Sequence, residues 1–209
     1  MKKQISITRT IMQILLYTVL LLGIYQVGSA QNKVALSVQV DPKITAVGDD
    51  AHGIPSGLTN ILVKSRWQGK QQEWGYMHVA PTFEYATLNP DLPAYKRYAV
   101  EVGYTFNQFF DNWKPLDLWL FEINPSNFEV GGYIDYGILE RGLAKQGLGF
   151  GVVLGYEFFD GFKGIATLQY VDRQDFEVLY NIKSQFKHSV QVGFEINILD
   201  TDPANWKRF

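Results

Sequence analysis

The feature that most constrains this chain is a strict two-residue alternation of side-chain character in its C-terminal half. In the last such run, Val190, Val192 and Phe194 alternate with Gln191 and Gly193. Successive side chains on a β-strand point to opposite faces, so this period predicts strands with two unlike faces. The same pattern recurs in three earlier runs, at residues 98–106, 128–136 and 148–156. The chain is therefore predicted to be all-β.

Eight strands are predicted from this periodicity, at residues 34–47, 74–87, 95–108, 116–123, 128–139, 147–158, 165–171 and 188–199. The fourth has apolar residues on both faces, and residues 58–67 are the alternative to it. Pro81 lies inside the second run although a proline cannot donate to a strand ladder. The second run also has the opposite parity to its neighbours, which predicts a bulge or loop offset beside it.

The segments between these strands alternate in length. Those after the odd-numbered strands, at residues 48–73, 109–115, 140–146 and 172–187, have seven residues or more, and those after the even-numbered strands, at 88–94, 124–126 and 159–164, have seven or fewer. This alternation is typical of transmembrane barrels with short periplasmic turns and longer external loops. An antiparallel up-and-down barrel with both termini on the short-turn side follows.

The first thirty residues have the organisation of a secretory signal. Lys2, Lys3 and Arg9 precede an uncharged apolar stretch at residues 11–25, and small residues follow at 28–30. This pattern predicts cleavage after the last of them. An uncleaved anchor is the alternative, because a membrane-spanning helix needs only about 20 apolar residues. We therefore predict a signal peptide at 1–30, a barrel at 31–199 and a C-terminal tail at 200–209.

Charge and cysteine content exclude several classes of function. The first thirty residues hold three of the 19 lysines and arginines and none of the 21 acidic residues, which leaves 16 basic against 21 acidic residues. No basic surface for nucleic acid is expected. The chain has no cysteine, so disulfides, thiolate nucleophiles and cysteine-built zinc sites are excluded. A closed hydrogen-bonded barrel would provide the stability that disulfides often give secreted domains.

The composition of the polar face indicates which face points to lipid. A soluble barrel buries its apolar face, whereas a membrane barrel turns that face outward. Here the polar face is rich in small residues, among them Ala99, Gly103, Gly149 and Gly151, and has few lysines. Glycine weakens a water-facing strand, but it makes room for large side chains in a narrow lumen. We therefore predict that the apolar residues face lipid.

The signal, strand number, loop alternation and two-faced strands of residues 34–199 resemble the small eight-stranded outer-membrane barrels of Gram-negative bacteria, the OmpA/OmpX type. The resemblance implies location in the outer membrane and contact with its lipid. Members of this class include passive anchors, adhesins, assembly accessories and a few lipid-modifying enzymes. Such barrels commonly end on a strand with a terminal aromatic residue. Phe209 is terminal here, but residues 200–209 do not alternate. The segment that the insertion machinery recognises is therefore either 190–198 or the C-terminus.

A set of charged residues is predicted to face the lumen. The proposed topology places four glutamates at the short-turn end of the lumen, with Glu101 deeper and Arg97, Asp41 and Lys43 near them. The four are Glu84, Glu129, Glu157 and Glu195. Like charges in a narrow tube raise each other's pKa unless cations neutralise them. The set is either a proton or cation site or, as we favour, a polar network that fills the lumen. The predicted network comprises Glu84, Arg97, Glu101, Glu129, Glu157 and Glu195.

No catalytic, cofactor or metal residues are predicted. Lipid A deacylases of this fold use a His-x-Ser spacing, whereas His188 is followed directly by Ser189, and neighbours on a strand point to opposite faces. His78 is expected to be an interior histidine, and His52 falls in a loop. We therefore predict a non-enzymatic barrel with a structural or interaction role, through external loops that bind an envelope protein or glycan or as part of an envelope assembly. The alternatives are a lipid-modifying enzyme, a narrow small-solute channel and a soluble periplasmic ligand-binding barrel.

Overall fold

The computed structural model describes residues 33–42, 60–87, 93–111, 113–118, 121–175, 177, 181, 183 and 186–200. These residues form the strands β1 (Lys33–Val40), β2 (Asn60–Gln68), β3 (Gly75–Ala86), β4 (Tyr95–Phe106), β5 (Leu116–Leu118), β6 (Phe121–Ile123), β7 (Phe128–Arg141), β8 (Leu143–Phe159), β9 (Phe162–Asp172) and β10 (Phe186–Asp200). A 3₁₀ turn at Pro125–Asn127 precedes β7. Within the described ranges, no helix is long and apolar enough to cross a bilayer.

Eight of these strands, all except β5 and β6, close into an antiparallel barrel in the order β1-β10-β9-β8-β7-β4-β3-β2. The predicted fold class, an eight-stranded antiparallel barrel, is confirmed. The ring closes where β1 pairs with β10, from Lys33 beside Asp200 to Val40 beside Val192. Closure gives every wall strand two neighbours, so the barrel has no exposed sheet edge.

The two ends of the barrel are distinguished by their connections. The terminal end is the one where β1 begins and β10 ends, and the opposite end is the distal end. Because the strands are antiparallel, the strand ends joined by residues 69–74, 107–127 and 160–161 lie at the terminal end. Those joined by 41–59, 87–94, Gly142 and 173–185 lie at the distal end.

The apolar side chains face outward. On β10, Gln191 and Glu195 are buried, whereas Val192 and Phe194 are 37% and 56% exposed. The prediction that the apolar face points to lipid is confirmed, and a soluble barrel with an apolar ligand pocket is excluded for the described strands. On β2 and β3 the buried side chains have even numbers, as at Lys64, but on β1 and β4 they have odd numbers. The predicted change of parity therefore occurs across the connections 41–59 and 87–94.

The prediction for the fourth strand is wrong. Residues 116–123 form β5 and β6, a small separate hairpin, and the alternative segment supplies a wall strand instead, as β2. An apolar run on both faces is not suited to a wall with one polar side. Residues 60–68 do alternate, but they have charged residues on the inner face. The predicted alternation of long and short connections fails for the same reason, because 107–127 is a long connection at the terminal end.

The end of β1 and the predicted loop at 140–146 also differ from prediction. β1 ends at Val40 instead of residue 47, before Asp41 and Pro42, and residues 43–47 lie outside the described residues. Residues 140–146 are not a loop, because β7 and β8 meet at Gly142, whose φ of 80° suits glycine. Pro81 is part of β3, but the β2–β3 ladder is interrupted beside it and then resumes in the same register. The predicted signal peptide and tail lie outside the described residues, except for Asp200.

Candidate functional site

The lumen at the terminal end is crossed by a cluster of ion pairs. Arg66 on β2 donates to Glu129 on β7 at 3.0 Å and also to Glu195 on β10. Lys163 on β9 donates to the second oxygen of Glu129 at 2.7 Å, and the Tyr76 hydroxyl donates to that oxygen at 3.0 Å. Side chains from five strands therefore meet in this cluster. A buried carboxylate is tolerated when it is paired and hydrogen-bonded in this way.

A second cluster occupies the middle of the lumen. Lys64 on β2 donates to Glu101 on β4 at 2.7 Å, and the ring of His78 is 3.0 Å from the other oxygen of Glu101. The other ring nitrogen of His78 lies 3.2 Å from the Thr105 hydroxyl. The Lys64 ammonium also lies 4.4 Å from the centre of the Tyr133 ring, a distance typical of cation–π attraction. His78 is therefore a hydrogen-bonded interior histidine.

A third cluster lies toward the distal end. Arg97 on β4 pairs with Asp135 on the neighbouring strand β7. Glu84 on β3 accepts hydrogen bonds from Gln169 on β9 at 3.0 Å and from the Tyr95 hydroxyl at 3.4 Å. Because β3 and β9 lie four places apart in the ring of eight strands, the Gln169 contact spans the full width of the lumen.

Above this cluster, Asp175 forms ion pairs with Arg173 and Arg141 that cover the distal end. Asp175 follows β9 and accepts hydrogen bonds from Arg173 at 2.7 and 2.8 Å and from Arg141 at 3.4 Å. The guanidinium of Arg173 also lies 4.5 Å from the centre of the Tyr95 ring. Burial by itself raises the pKa of Asp175, but the hydrogen bonds and charge of Arg173, followed by Arg141, outweigh it and hold that pKa below its ordinary value.

Inward-facing glycines make room for these side chains. A Cβ atom on Gly151 would lie 2.6 Å from the Tyr133 ring, and one on Gly149 would lie 2.5 Å from Asp135. Real Cβ atoms do not approach other atoms this closely. The small residues on the polar face therefore leave space for the large side chains that fill the lumen.

The structure places the predicted lumen residues at different depths. Glu129 and Glu195 lie in the terminal-end cluster, Glu101 in the middle, and Glu84 and Arg97 toward the distal end. The expectation that the glutamates share one end with Arg97 is wrong, because the misassigned strand reversed the direction of the second and third predicted strands.

Glu157 and the two nearby charges behave differently. Glu157 is half-buried and accepts a hydrogen bond from the Gly161 amide at 3.0 Å, so it stabilises the turn between β8 and β9. Asp41 is buried just beyond the distal end of β1, and Lys43 lies outside the described residues.

Several network residues were not predicted. Lys64 and Arg66 were missed because β2 was only the alternative strand, although their alternation with Val63 and Trp67 is visible in the sequence. Asp135 and Lys163 have inward parity in runs that were recognised as strands or strand borders. A search for charged residues of inward parity, with both signs included, would have found all four.

The described residues form neither a paired His188 and Ser189 nor a group of metal ligands. His188 on β10 is exposed and lies beside the Tyr170 ring, whereas Ser189 belongs to the opposite face. His52 lies outside the described residues. No group of three or more histidine, aspartate or glutamate side chains in the described ranges is placed to hold a metal ion.

Aromatic side chains surround the outer wall at both ends. At the terminal end, an unbroken series of ring contacts leads from Phe128 through Tyr156, Phe158 and Phe162 to Phe194, with centroid distances of 4.7–6.2 Å. Trp67, Trp74, Phe109 and Trp113 also lie at this end, while Tyr85 and Tyr98 lie toward the distal end. Tyr76 and Tyr95 are inward-facing and buried.

An apolar outer wall, an aromatic belt and a polar, filled interior define the class of the protein: it is a small eight-stranded transmembrane β-barrel of the outer-membrane type. The predicted location, the outer membrane of a Gram-negative bacterium, follows from that class.

Three solved structures have similar folds. The outer membrane protein Ail of Yersinia pestis, in a phospholipid bilayer nanodisc, is 12% identical over 81% of this chain and 99% of that chain, with a TM-score of 0.47. Neisserial surface protein A is 10% identical over 80% and 97%, with a TM-score of 0.43. A de novo designed transmembrane β-barrel is 10% identical over 79% and 95%, with a TM-score of 0.37. No protein-family model and no curated protein matches the chain.

Proposed function

We propose that the protein is a non-enzymatic outer-membrane barrel that acts through its surfaces. Its role is structural or interactive, performed by the distal loops or as a component of an envelope assembly. The observation that carries this proposal is the occupied lumen, in which Gln169 reaches Glu84 from the opposite wall at 3.0 Å. Side chains that meet across a lumen leave little space for solute. The work of the protein is then done outside the barrel.

The distal connections are the preferred interaction surface. Residues 41–59 and 173–185 join strand ends at that end, and the proposed orientation turns them away from the periplasm. Loops displayed on a rigid scaffold commonly carry binding residues. A partner protein or glycan of the envelope is the class of ligand that such loops would bind.

The first experiment tests whether the lumen conducts. We expect the purified protein in planar lipid bilayers to give no steady open channel, because the ion pairs of Arg66 and Lys64 and the hydrogen bond from Gln169 to Glu84 cross the interior. A large open porin in the same bilayer serves as the positive control. A stable, reproducible conductance of the wild-type protein would contradict the proposal.

The second experiment tests whether the protein modifies lipid. Lipid A from cells with and without the protein is compared by mass spectrometry, and we expect identical acyl composition. A mass change that depends on the protein would show an enzymatic role. Substitution of His188, the exposed histidine of the outer wall, would then show whether that residue takes part in the modification of lipid A.

The third experiment tests the distal loops. Residues 43–59 are replaced by a short Asn-Gly turn, which joins antiparallel strands with little strain. The assay uses a strain that lacks the protein and has lost its resistance to detergent. We expect the variant to remain in the outer membrane with heat-modifiable gel mobility. We expect it not to restore the resistance of that strain. Full restoration by the variant would assign the role to another part of the barrel.

A further inference from the structure

The connection between β4 and β7 is unusual for the terminal end of such a barrel. Turns at the periplasmic side of transmembrane barrels are short, yet this connection runs from residue 107 to 127 and contains the hairpin β5–β6 and a 3₁₀ turn. Its first part carries three aromatic residues within five positions: Phe109, Phe110 and Trp113. The proposed role of the distal loops gives this segment no function.

The aromatic residues of this segment form one cluster. The Phe110 ring contacts both Phe109 and Trp113 edge to face, at centroid distances of 5.0 and 5.1 Å. The backbone amide of Trp113 donates to the carbonyl of Phe110 at 2.9 Å, which closes the turn that brings the rings together. At the start of the segment, Asn107 and Gln71 exchange two side-chain hydrogen bonds of 2.9 Å. This pair joins the segment to the neighbouring connection.

The cluster is continuous with the aromatic belt of the barrel wall. The Phe110 ring lies 5.8 Å from that of Phe128, the first residue of β7, and Phe128 contacts Tyr156 at 4.7 Å. The belt itself faces lipid, because it lies on the outward side of β7–β10. The ring contacts therefore extend from the lipid-facing wall onto the connection without a break.

The exposure of the outer rings indicates a lipid environment. Phe109 and Trp113 are each 62% exposed, so two large aromatic side chains would stand in water if the segment faced the periplasm. Asp111 and Lys114, between and beside them, are exposed charges. A short segment that combines exposed aromatic and charged residues is typical of elements that lie in the headgroup region, where the rings of tryptophan and phenylalanine enter the acyl boundary.

We propose that Phe109, Phe110 and Trp113 form an interfacial anchor that lies in the headgroup region of the lipid leaflet at the terminal end of the barrel. The partner is the bilayer surface itself, and the anchor extends the aromatic belt sideways from the wall. This fixes the depth of the β4–β7 connection and holds the hairpin β5–β6 near the membrane. The inference is independent of the role of the distal loops.

The test measures the surroundings of Trp113. The other four tryptophans, Trp67, Trp74, Trp119 and Trp206, are replaced by phenylalanine in the full chain, which is then reconstituted in nanodiscs. We expect lipids brominated near the glycerol end of the acyl chain to quench most of the Trp113 fluorescence. We also expect aqueous iodide to quench it several-fold less than free N-acetyltryptophanamide. A variant that retains only Trp67, which is exposed on the outer wall, is the positive control for lipid quenching.

The opposite pattern would overturn the proposal. If iodide quenches Trp113 as well as it quenches the free indole, and brominated lipid has no effect, the cluster faces water and is available to a periplasmic protein instead.

A second measurement covers the case in which the four-phenylalanine variant fails to fold. The chain has no cysteine, so W113C and the adjacent control K114C can each carry one spin label without further changes. We expect the label at 113 to be more accessible to oxygen, which concentrates in lipid, and the label at 114 to be more accessible to a water-soluble nickel complex. Equal accessibility of both labels to the nickel complex would refute the anchor.

Discussion

Gln169 donates a hydrogen bond of 3.0 Å to Glu84 from the opposite wall of the barrel. The two residues belong to β9 and β3, which are four places apart in the ring of eight strands. The Tyr133 hydroxyl in turn lies 3.5 Å from the side-chain oxygen of Gln169. The side-chain amide of Gln169 therefore links three strands of the barrel wall. Its removal leaves the buried Glu84 carboxylate with one hydrogen-bond donor fewer.

The first prediction concerns this amide. Gln169→Leu is expected to lower the free energy of unfolding by about 1–3 kcal/mol, because Glu84 stays buried and loses its shorter hydrogen bond. The matched control is Gln146→Leu, since Gln146 is exposed on β8 and accepts from Tyr136 at 2.7 Å. Urea unfolding in lipid vesicles measures both. Equal effects of the two substitutions would show that the cross-lumen contact adds little.

The second prediction concerns Arg66, the cation shared by Glu129 and Glu195. Arg66→Met is expected to cost about 3–5 kcal/mol, because it leaves buried carboxylates without their main cation. The double variant R66M/E195Q is expected to lose less free energy of unfolding than the two single variants together. E195Q removes the charge of one carboxylate that R66M leaves without Arg66, and Glu129 keeps Lys163.

The control for Arg66 is an exposed pair at the barrel seam. Lys33 and Asp200 are 3.0 Å apart, and their side chains are 38% and 26% exposed. Lys33→Met is expected to change the free energy of unfolding by only about 0–1 kcal/mol. If R66M is no more destabilising than K33M, the buried network does not stabilise the barrel in the way proposed.

The third prediction concerns the strand pair that closes the ring. Gly193 on β10 is opposite Gln39 on β1, and a Cβ atom there would overlap the backbone oxygen of Val38. Gly193→Ala is expected to cost about 1–3 kcal/mol through this overlap. Gly132→Ala is the control, because its Cβ would meet no atom nearer than 4.0 Å. Heat-modifiable gel mobility after graded urea treatment reports both; a stable G193A barrel would mean that the seam can separate without cost.

The fourth prediction concerns pH at the distal end. The pKa of Asp175 is lower in the folded protein than its ordinary value. Its contribution to stability is therefore fully present above the ordinary aspartate pKa, and it is lost as the pH falls through the lower, folded-state pKa. The protection of amides 173–175 against hydrogen exchange, relative to an unstructured chain at the same pH, should therefore fall over that acidic range.

Asp175→Asn supplies the control for this pH effect. The variant lacks the titrating carboxyl, so its exchange at residues 173–175 should be faster than that of the wild type at neutral pH and should show no additional acid-dependent step. Arg173 and Arg141, the two guanidiniums that contact the carboxyl, remain charged throughout. An acid-dependent step that persists in the variant would assign the effect to another group.

The location of the strands illustrates how far sequence could lead. The runs that became β4, β7, β8 and β10 were recognised because apolar and small residues alternate in them without interruption. β2 was predicted only as the alternative to residues 116–123, and Lys64 and Arg66 make it the less apolar of the two segments. Hydrophobicity favoured residues 116–123, which lie outside the barrel wall. The alternating charged residues Lys64 and Arg66 belong to the strand that is part of the wall.

The candidate site shows the same division between local and tertiary information. Inward parity identified Glu101, Glu129 and Glu195 as lumen residues, and parity is a property of the strand itself. Their partners were not predictable in the same way. Arg66 and Glu195 are far apart in sequence, and they meet only because β2 and β10 are both neighbours of β1 in the closed ring.

The sequence by itself determined that the chain is a sheet protein, because side-chain alternation is set by the backbone of each strand. The small residues of the polar face then indicated that the apolar face points to lipid. Only the tertiary structure decided which segments form the eight strands of the barrel wall and near which end of the lumen each glutamate lies. The structure also decided which cation neutralises each carboxylate. Those facts depend on ring closure and on the register between neighbouring strands, and a period of two residues is the same for every register that differs by two.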